Sequence, residues 1–337
     1  MEKVFLARAE RNGSSEVSEA ARKVFDALKI NFEGKIPLKV HFGEKGNITF
    51  IKPTSYQGII NSLKEKKVES FFTDTNVLYK GERTTREKHI ALAKEHGFTQ
   101  LPIIIADGEM GEENVKVKIS GKHYKECSIG KTIADSKQMV VLAHFKGHFL
   151  PGFGGAIKQL SMGCASRGGK LAMHAHSTPI LNPLKCIKCN TCANNCPVDA
   201  CIISKIPHID KKKCIGCAKC IAVCPTGAMT INWVSTGRKE FIEKLCEYAL
   251  AAQKDKEIAY VNFVLDVTKN CDCEGHPQKP IIKDLGILAS KDPVALDKAC
   301  MDLLRKREGK KIFSGDHNFD YGEKIGLGKK EYELVEL

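Results

Sequence analysis

Apolar positions along the first 150 residues follow two alternating patterns. Short apolar runs bounded by turn residues predict strands, and they lie at residues 3–7, 38–42, 68–72, 101–106 and 139–142. After the first run, Val17, Ala21 and Val24 recur with a period near 3.6, which predicts a helix. Strands that alternate with helices favour an α/β domain with a largely parallel sheet.

Two further helix starts are predicted from pairs of polar residues. Thr54 is followed three residues later by Gln57, and Thr84 by Glu87. This is the capping-box spacing, in which the first side chain accepts a hydrogen bond from a backbone N–H of the first helical turn. Gly97 suits the far end of the second helix, because glycine tolerates a left-handed backbone there.

The pattern changes between residues 177 and 234, where cysteine and proline separate short segments. Sequence of the α/β type then returns, with a helix, a strand and a helix predicted at 237–252, 261–267 and 293–304. Because the same kind of sequence lies on both sides, we predict one α/β domain, residues 1–176 and 235–337, that carries an inserted α+β domain. A separate C-terminal domain is the alternative.

Eight of the 15 cysteines form two copies of the motif C-x-x-C-x-x-C-x-x-x-C-P. The copies are offset by 28 residues, and their cysteines are Cys186, Cys189, Cys192 and Cys196, then Cys214, Cys217, Cys220 and Cys224. Such arrays, in a chain without a secretory signal, are more typical of metal ligands than of disulfides. The motif therefore indicates an internal duplication that binds metal.

This spacing is typical of two [4Fe–4S] clusters in which the fourth cysteine of each copy binds the cluster of the other copy. We predict that cluster 1 is bound by Cys186, Cys189, Cys192 and Cys224, and cluster 2 by Cys214, Cys217, Cys220 and Cys196. Zinc also binds paired C-x-x-C motifs, but it does not require four cysteines and a proline in two copies. The segment resembles bacterial-type two-cluster ferredoxins. Cys201 is predicted to be a small core residue beside a cluster.

Composition and charge narrow the setting of this chemistry. The chain is 42% hydrophobic and 28% charged, as globular proteins are. It has no apolar run long enough to span a membrane and no secretory signal, so we expect a cytoplasmic protein in an anaerobic or strongly reducing cell. The net charge of +13 suits an acidic redox partner or a phosphorylated substrate as well as nucleic acid. Because the lysines are scattered, we expect a redox partner protein and neither nucleic-acid nor membrane binding. Whether a small-molecule substrate also binds stays an open question.

Histidines follow the predicted strand at 139–142. His144 and His148 are four residues apart, and His174 and His176 are two apart, spacings that place each pair on one face. Imidazoles arranged in this way bind divalent metals or transfer protons. Histidines hydrogen-bonded at a sheet edge are the alternative. We take His144, His148 and His174 as candidate catalytic residues.

A glycine-rich turn follows His148. Gly152, Gly154 and Gly155 come just before a predicted helix with Lys158, and backbone amides at such a turn bind anions such as a cofactor phosphate. The turn does not match the dinucleotide fingerprint, because Ile157 occupies the third glycine position. A plain turn at a helix start is the alternative.

Two further cysteines lie in a polar loop after the strand predicted at 261–267. Cys271 and Cys273 are candidates for a redox dithiol, for ligands of an additional metal, or for inert thiols. Asp272 and Glu274 are expected to raise the pKa of these thiols. Because parallel strands end at one sheet edge, we predict that a single pocket facing a cluster collects the polar residues of this region. Besides the candidates above, these are His41, Glu44, Asp74 and Asn76.

Taken together, several polar stretches resemble the domain-of-unknown-function 362 family in its ferredoxin-containing form. They are KVHFGEKGN, TDTNVLYKG, HFKGHFLPGFGGAIK, CASRGGKLAMHAH and DVTKNCDCEGHP. The resemblance covers nearly the whole chain and implies an uncharacterised iron–sulfur protein with an inserted ferredoxin segment. It implies no particular substrate or reaction.

The expected function is that of an oxidoreductase that passes electrons between two [4Fe–4S] clusters and a substrate or cofactor in the α/β domain. Whether an additional metal or a phosphate-bearing cofactor also binds stays an open question. The first alternative is a non-enzymatic protein that carries electrons, delivers clusters or senses redox state. The second is a metal-dependent enzyme whose clusters are structural.

Overall fold

A computed structural model describes residues 1–11, 14–79, 81–174, 178–231 and 236–337. The strands, in chain order from β1 to β16, are Glu2–Ala7, Lys35–Lys39, Glu69–Asp74, Ile103–Ile105, Asn114–Lys118, Glu126–Gly130, Gln138–His144, Lys146–His148, Gly152–Gly154, Ile180–Leu181, Cys201–Ile202, His208–Ile209, Met229–Thr230, Glu257–Val264, Gly286–Ser290 and Tyr332–Glu336. The helices, from α1 to α11, are Ser14–Ala27, Gln57–Glu65, Arg86–Glu95, Lys131–Asp135, Ala156–Ser161, Arg167–His174, Thr191–Asn194, Lys219–Val223, Arg238–Gln253, Pro293–Glu308 and His317–Lys324. A 3₁₀ turn at Pro53–Tyr56 leads into α2.

The central sheet has eight strands in the order β16-β1-β15-β14-β7-β2-β3-β4. Strands β14, β7, β2, β3 and β4 are parallel to one another. Strand β15 is antiparallel to both of its neighbours, β14 and β1, whereas β16 is parallel to β1. The predicted α/β fold with a largely parallel sheet is therefore confirmed.

Both faces of the sheet are covered by helices. Along β7, Met139 and Val141 pack into a core with α5, α9 and α10, while Val140 and Leu142 pack into a second core with α1 and α2. Successive side chains of a strand point to opposite faces, so a strand that is buried on both sides needs an unbroken apolar run. This explains why the run at 139–142 has no polar residue.

Local signals fix the two ends of α10. The carboxylate of Asp292 accepts hydrogen bonds from the amides of Val294 and Ala295 at 2.8 and 2.9 Å. Pro293 suits the first helical position because its missing N–H is not needed there, and Gly309 ends the helix with a left-handed φ of 64°.

Two predicted caps differ from the structure. The hydroxyl of Thr85, not Thr84, accepts the amide hydrogen bond at the start of α3, from Lys88 at 3.4 Å. The hydroxyl of Thr84 instead donates to the carbonyl of Gly81 at 2.8 Å. Thr54 lies inside the 3₁₀ turn, which begins after Lys52 without a side-chain cap. The β5–β6 hairpin and β16 were not predicted from the sequence, although NVKVK in β5 shows the polar–apolar alternation of a half-buried strand.

The segment from 178 to 231 contains two copies of one backbone pattern. Helix α7 and strand β11 recur 28 residues later as α8 and β13. Left-handed φ angles also recur at this offset, at Lys188 and Gly216 (54° and 67°) and at Asn190 and Ala218 (both 59°). The sequence duplication is therefore a structural duplication as well.

The central sheet draws strands from both sides of this segment, since β7 pairs directly with β14. The chain also leaves and re-enters the α/β part at neighbouring points, because the hydroxyl of Thr236 donates to the carbonyl of His174 at 3.0 Å. The predicted domain boundaries at 176/177 and 234/235 lie outside the described residues. The division into domains stays a prediction.

None of the helices in the described ranges combines the length and the apolar character that crossing a membrane requires.

We predict that replacing residues 177–234 with a short Gly/Ser linker leaves a folded α/β protein. Thr236 and His174 are in contact at 3.0 Å, so a linker of a few residues can join the two ends. The central sheet should persist as well, because all of its strands lie outside the segment. Circular dichroism and a single cooperative urea transition measure this. A version that also carries Leu78→Ser controls for aggregation through a leucine that the deletion uncovers. Two separate transitions, or an unfolded product, would contradict a single α/β domain.

Candidate functional site at the carboxyl edge of the sheet

The order of the parallel strands creates a crevice between β2 and β7. From β2 the chain proceeds outward to β3 and β4, and it then returns to the other side of β2 to form β7 and β14. Ligands of open α/β sheets bind at such a reversal, beyond the carboxyl ends of the strands. A cavity of about 480 Å³ lies at this edge. Its polar lining comprises His41, Asp74, Thr75, Tyr79, Arg83, His148, Lys158, Gln159, Lys170, His174 and Cys273.

The structure therefore brings many of the predicted site residues together. His41 and Asp74 follow or end neighbouring strands, and His148 ends β8. His174, at the end of α6, also reaches the cavity. His176, the fourth predicted histidine, lies outside the described residues.

One side of the cavity carries two thiols and an imidazole. A ring nitrogen of His148 and the sulfur atoms of Cys271 and Cys273 all lie within 4.8 Å of one another. The Nζ atom of Lys158 donates to Cys271 Sγ at 3.3 Å, and the amide of Leu150 donates to Nδ1 of His148 at 3.2 Å. Three metal-ligating groups thus converge beside a lysine.

The expected effect of the acidic neighbours on these thiols is reversed at Cys271. The hydrogen bond with Cys273, followed by the charge of Lys158, holds the pKa of the Cys271 thiol well below its usual range. The pKa of Cys273 is correspondingly raised, because it shares its proton with Cys271 and is desolvated. Asp272 does not oppose this, since its carboxylate is directed elsewhere. The pair therefore favours one thiolate and one thiol.

The carboxylate of Asp272 is fully buried and points away from the cavity. It lies 3.0 Å from Nδ1 of His144 and 2.9 Å from Nζ of Lys146. Burial alone would raise its pKa, but the two cationic neighbours hold the pKa well below its usual range. The other ring nitrogen of His144, Nε2, lies 2.7 Å from the carbonyl of Leu265.

This arrangement places one predicted site residue away from the cavity. His144 was a candidate catalytic residue, but both of its ring nitrogens already face partners inside the protein. Its side chain is only 2% exposed and does not line the cavity. His144 therefore positions the loop that carries Cys271 and Cys273.

Another part of the cavity lining is a network of buried charges centred on Asp74 and Arg83. Lys39 Nζ lies 2.9 Å from Asp74, and Arg83 Nε lies 3.1 Å from Glu44. Arg83 Nη1 also lies 3.0 Å from Nε2 of His41. Burial, with the charge of Arg83, keeps the pKa of His41 well below its usual range, so this imidazole is neutral.

Sequence reasoning missed three cations of this region: Lys39, Arg83 and Lys170. Lys170 Nζ donates to the carbonyls of Asn76 and Ala165 at 2.7 and 3.2 Å and to the hydroxyl of Thr75. Burial lowers its pKa to about 8. A lysine in an apolar strand, as in residues 36–40, was the available signal for Lys39.

The predicted anion-binding turn has an internal partner. Gly152 and Gly154 belong to β9, and the amides of Ala156 and Ile157 donate to the carboxylate of Asp297 at 2.7 and 2.9 Å. A Cβ at Gly155 would lie 2.3 Å from that carboxylate. Gly155 thus allows close packing around Asp297. Of the predicted cofactor-binding residues, Lys158 reaches the cavity.

The eight motif cysteines surround two smaller cavities. One is lined by Cys186, Cys189, Cys192 and Cys224, and the other by Cys196, Cys214, Cys217 and Cys220 together with Cys201. The amide of Ala200 donates to Cys196 Sγ at 3.1 Å, and that of Met229 to Cys224 Sγ at 3.5 Å. Four thiols around each space, with amides donating to sulfur, fit what a thiolate-bound cluster needs. Cluster binding itself stays a prediction.

The main cavity and the cysteine segment share a wall. Leu78 lines the cavity and packs in one hydrophobic cluster with Cys192 and Cys220. Helix α6 closes the other side of this contact, because a Cβ at Gly168 would lie 3.1 Å from the carbonyl oxygen of Gly216. The cavity is thus connected through Leu78 to the hydrophobic cluster that contains cysteines of both sets.

A model of the family described as a domain of unknown function (DUF362) matches residues 36–302. No curated protein matches the chain. A crystal structure of a Thermotoga maritima protein aligns with a TM-score of 0.45 and 9% identity, over 94% of this chain and 60% of that chain. The lactate racemase apoprotein from Thermoanaerobacterium thermosaccharolyticum aligns with a TM-score of 0.40 and 13% identity, over 79% of this chain and 51% of that chain. The chain thus spans only half to three fifths of these solved chains.

We predict that Asp272→Asn lowers the free energy of unfolding by about 3–5 kcal/mol, because it leaves the buried charge of Lys146 without its counter-charge. Urea denaturation under anaerobic conditions measures the loss. The matched control is Glu274→Gln in the same loop. Glu274 is partly exposed and contacts His276 at the surface, so its change is expected to stay within about 0.5 kcal/mol. Equal stability of the two variants would show that Asp272 does not hold the loop.

Proposed function

The chain belongs to the DUF362 family, whose function is unknown, and we propose that it is an iron–sulfur oxidoreductase that acts on a small anion in the main cavity. The observation that carries this proposal is the shared wall: Leu78 contacts both the cavity and the cluster of side chains that contains Cys192 and Cys220. Electron transfer requires donor and acceptor to be close, and Leu78 belongs both to the cavity lining and to the hydrophobic cluster around these cysteines.

In this proposal the two cysteine sets bind [4Fe–4S] clusters, which supply one-electron transfer at a potential tuned by hydrogen bonds to sulfur and by exposure. Amides of Ala200 and Met229 donate such bonds to Cys196 and Cys224. Cys201 is buried next to the second set and belongs to the same hydrophobic cluster. It keeps its predicted role as a small core residue.

The charges of the cavity favour an anionic substrate. Arg83 is compensated by Glu44 and Asp74. Lys170, in contrast, donates to two carbonyls and a hydroxyl. These hydrogen bonds to neutral groups do not include a carboxylate that would neutralise its positive charge. Lys158 adds a second cation at the thiol side. A buried cation attracts an anion strongly because the local dielectric is low, so a carboxylate or phosphate group is the chemistry that this cavity recognises.

The rest of the cavity is apolar. Leu150, Met162 and Phe241 line it, and Phe149 stands at its rim with 78% of its surface exposed. Binding sites for small molecules commonly combine such walls with a few convergent polar groups. The substrate is therefore a small organic anion, and a phosphate-bearing cofactor fits the same description.

We further propose an acidic redox partner that docks at the first ligand loop. Leu184, Ile187 and Ile206 are highly exposed there, at 96%, 65% and 75%. Lys188 Nζ donates to the carbonyl of Lys205 at 3.2 Å, so exposed lysines lie around this apolar surface. Cationic groups around an apolar patch suit a partner with acidic groups around its own. Cys189, an exposed member of the first set, lies in the same loop.

The competing hypothesis of an electron carrier makes no use of a cavity lined by His148, Lys158 and Lys170. The hypothesis of a metal-dependent enzyme is favoured by the convergence of His148, Cys271 and Cys273. That site is compatible with oxidoreductase chemistry, since it lies on the same cavity.

We predict that anaerobically purified protein contains about eight iron and eight acid-labile sulfide per chain, as two [4Fe–4S] clusters require. Zinc without labile sulfide would contradict the proposal.

The crossed assignment of ligands makes a sharper prediction. Cys224→Ser should change the electron paramagnetic resonance spectrum of the reduced protein in the same way as Cys186→Ser, because both residues line one cavity. Cys196→Ser should match Cys214→Ser for the same reason. Cys201→Ala serves as the control that keeps both clusters. If Cys224→Ser matched Cys214→Ser instead, each copy would bind its own cluster.

We predict that small carboxylates and phosphate esters bind more weakly as the pH rises through about 8, the pKa to which burial lowers Lys170. Lysine is charged below its pKa and neutral above it, so the attraction is present at low pH and lost at high pH. Calorimetric titration with a panel of such anions at about pH 7 and pH 9 should show a loss of affinity of up to about tenfold, because about nine tenths of a group with this pKa is charged at pH 7 and about one tenth at pH 9. Lys170→Met should remove most of this dependence, whereas the surface variant Lys64→Met should retain it. Affinity that is constant with pH would contradict a role for Lys170.

A further inference from the structure

We propose that His148, Cys271 and Cys273 bind a divalent metal ion that is separate from the iron–sulfur clusters and that faces the bound substrate. The proposal rests on the proposed function in one respect: it assumes that the substrate binds in the same cavity. Its geometric basis is independent of the clusters, because the three residues lie on β8 and on the loop after β14, outside the cysteine segment.

The donor atoms suit a soft or borderline cation. One imidazole nitrogen and two thiol sulfurs lie within 4.8 Å of one another, a separation that lets a single ion contact all three. Zinc binds sulfur at about 2.3 Å and imidazole nitrogen at about 2.0–2.1 Å. Two thiolates also neutralise the charge of a divalent ion, which matters because Lys146 and Lys158 make this side of the site cationic.

The surroundings hold the ligands in place. Asp272, the residue between the two cysteines, points to the opposite side and is bound by His144 and Lys146. This leaves both cysteine side chains on the side of the loop that faces His148. Lys158, whose Nζ lies 3.3 Å from Cys271 Sγ, is placed as a hydrogen-bond donor to a metal-bound thiolate. Partners of this second layer orient ligands and tune the metal.

The site leaves one position of the metal open. The three protein ligands come from one side, and two of them, His148 and Cys273, also line the cavity of about 480 Å³. Catalytic zinc sites keep three protein ligands and an open fourth position, whereas structural sites are closed by four. The open position would be filled by water or by an oxygen of the anionic substrate, so the metal and Lys170 would act on the same bound molecule.

The strongest competing role for the two thiols is a redox dithiol. Both cysteines are free in the structure. A dithiol would not need His148, and it would form an internal disulfide upon oxidation. Metal binding and disulfide formation exclude each other at the same sulfurs, which makes the two roles separable by experiment.

The test uses the full chain with its clusters, purified without oxygen, incubated with Zn²⁺ as the probe and then dialysed. We expect about one zinc per chain, and zinc-edge X-ray absorption with two sulfur neighbours at about 2.3 Å and nitrogen or oxygen at about 2.0–2.1 Å. Cys271→Ser/Cys273→Ser should abolish this zinc and leave about eight iron per chain. The matched control is Cys246→Ala/Cys300→Ala, which changes two buried cysteines outside the site.

His148→Gln provides a second variant that keeps both thiols and should lower the zinc affinity at least about tenfold while the iron content stays constant. The proposal is overturned by chains that hold no zinc after dialysis, by a Cys271–Cys273 disulfide in the protein as purified, or by zinc with four sulfur neighbours that Cys271→Ser/Cys273→Ser does not remove. Zinc in the expected site of a chain without iron would leave this proposal intact and contradict the proposed iron–sulfur function. Iron without zinc would do the reverse.

Discussion

The buried carboxylate of Asp272 is the interaction on which the candidate site depends. It joins the loop after β14 to His144 at the end of β7 and to Lys146 at the start of β8. Residues 271–274 form a turn, closed by the amide of Glu274, which donates to the carbonyl of Cys271 at 3.0 Å. Within this turn Asp272 points inward, while Cys271 and Cys273 lie together beside His148. A buried carboxylate without these two partners would be very costly, so the ion cluster and the thiol arrangement form together.

Sheet topology supplies the rest of the site. The reversal between β2 and β7 opens a crevice at the carboxyl edge. Two neighbouring parallel strands deliver polar groups to it, His41 after β2 and Asp74 at the end of β3. Cations outnumber acids around this crevice, and the cysteine segment closes one side through Leu78. The same hydrophobic cluster thus packs the cysteine segment against the α/β part and connects it with the cavity lining.

Much of this could be predicted from the sequence, because periodicity identifies strands and parallel strands end at one edge. The strands at 139–142 and 261–267, the cysteine duplication, and the closeness of His148, Cys271 and Cys273 follow from local pattern and topology. The role of His144 could not be predicted, since only the structure shows that Asp272 and a carbonyl occupy its ring. Nor could Lys39, Arg83 and Lys170, because a buried cation looks like a surface cation until its partners, hundreds of atoms away along the chain, are placed. The partner of the glycine-rich turn could not be predicted for the same reason, because the anion that its amides bind is the carboxylate of Asp297, some 140 residues later.

The central claim is that two iron–sulfur clusters, each bound by cysteines from both copies of the motif, lie beside a substrate cavity. An X-ray structure of protein prepared and crystallised without oxygen, with anomalous density measured at the iron edge, tests it most directly. The account predicts two compact groups of four iron atoms, one inside Cys186, Cys189, Cys192 and Cys224 and the other inside Cys214, Cys217, Cys220 and Cys196, both separated from the cavity by the layer that contains Leu78. Single metal atoms at these cysteines, or clusters bound within one copy, would contradict it.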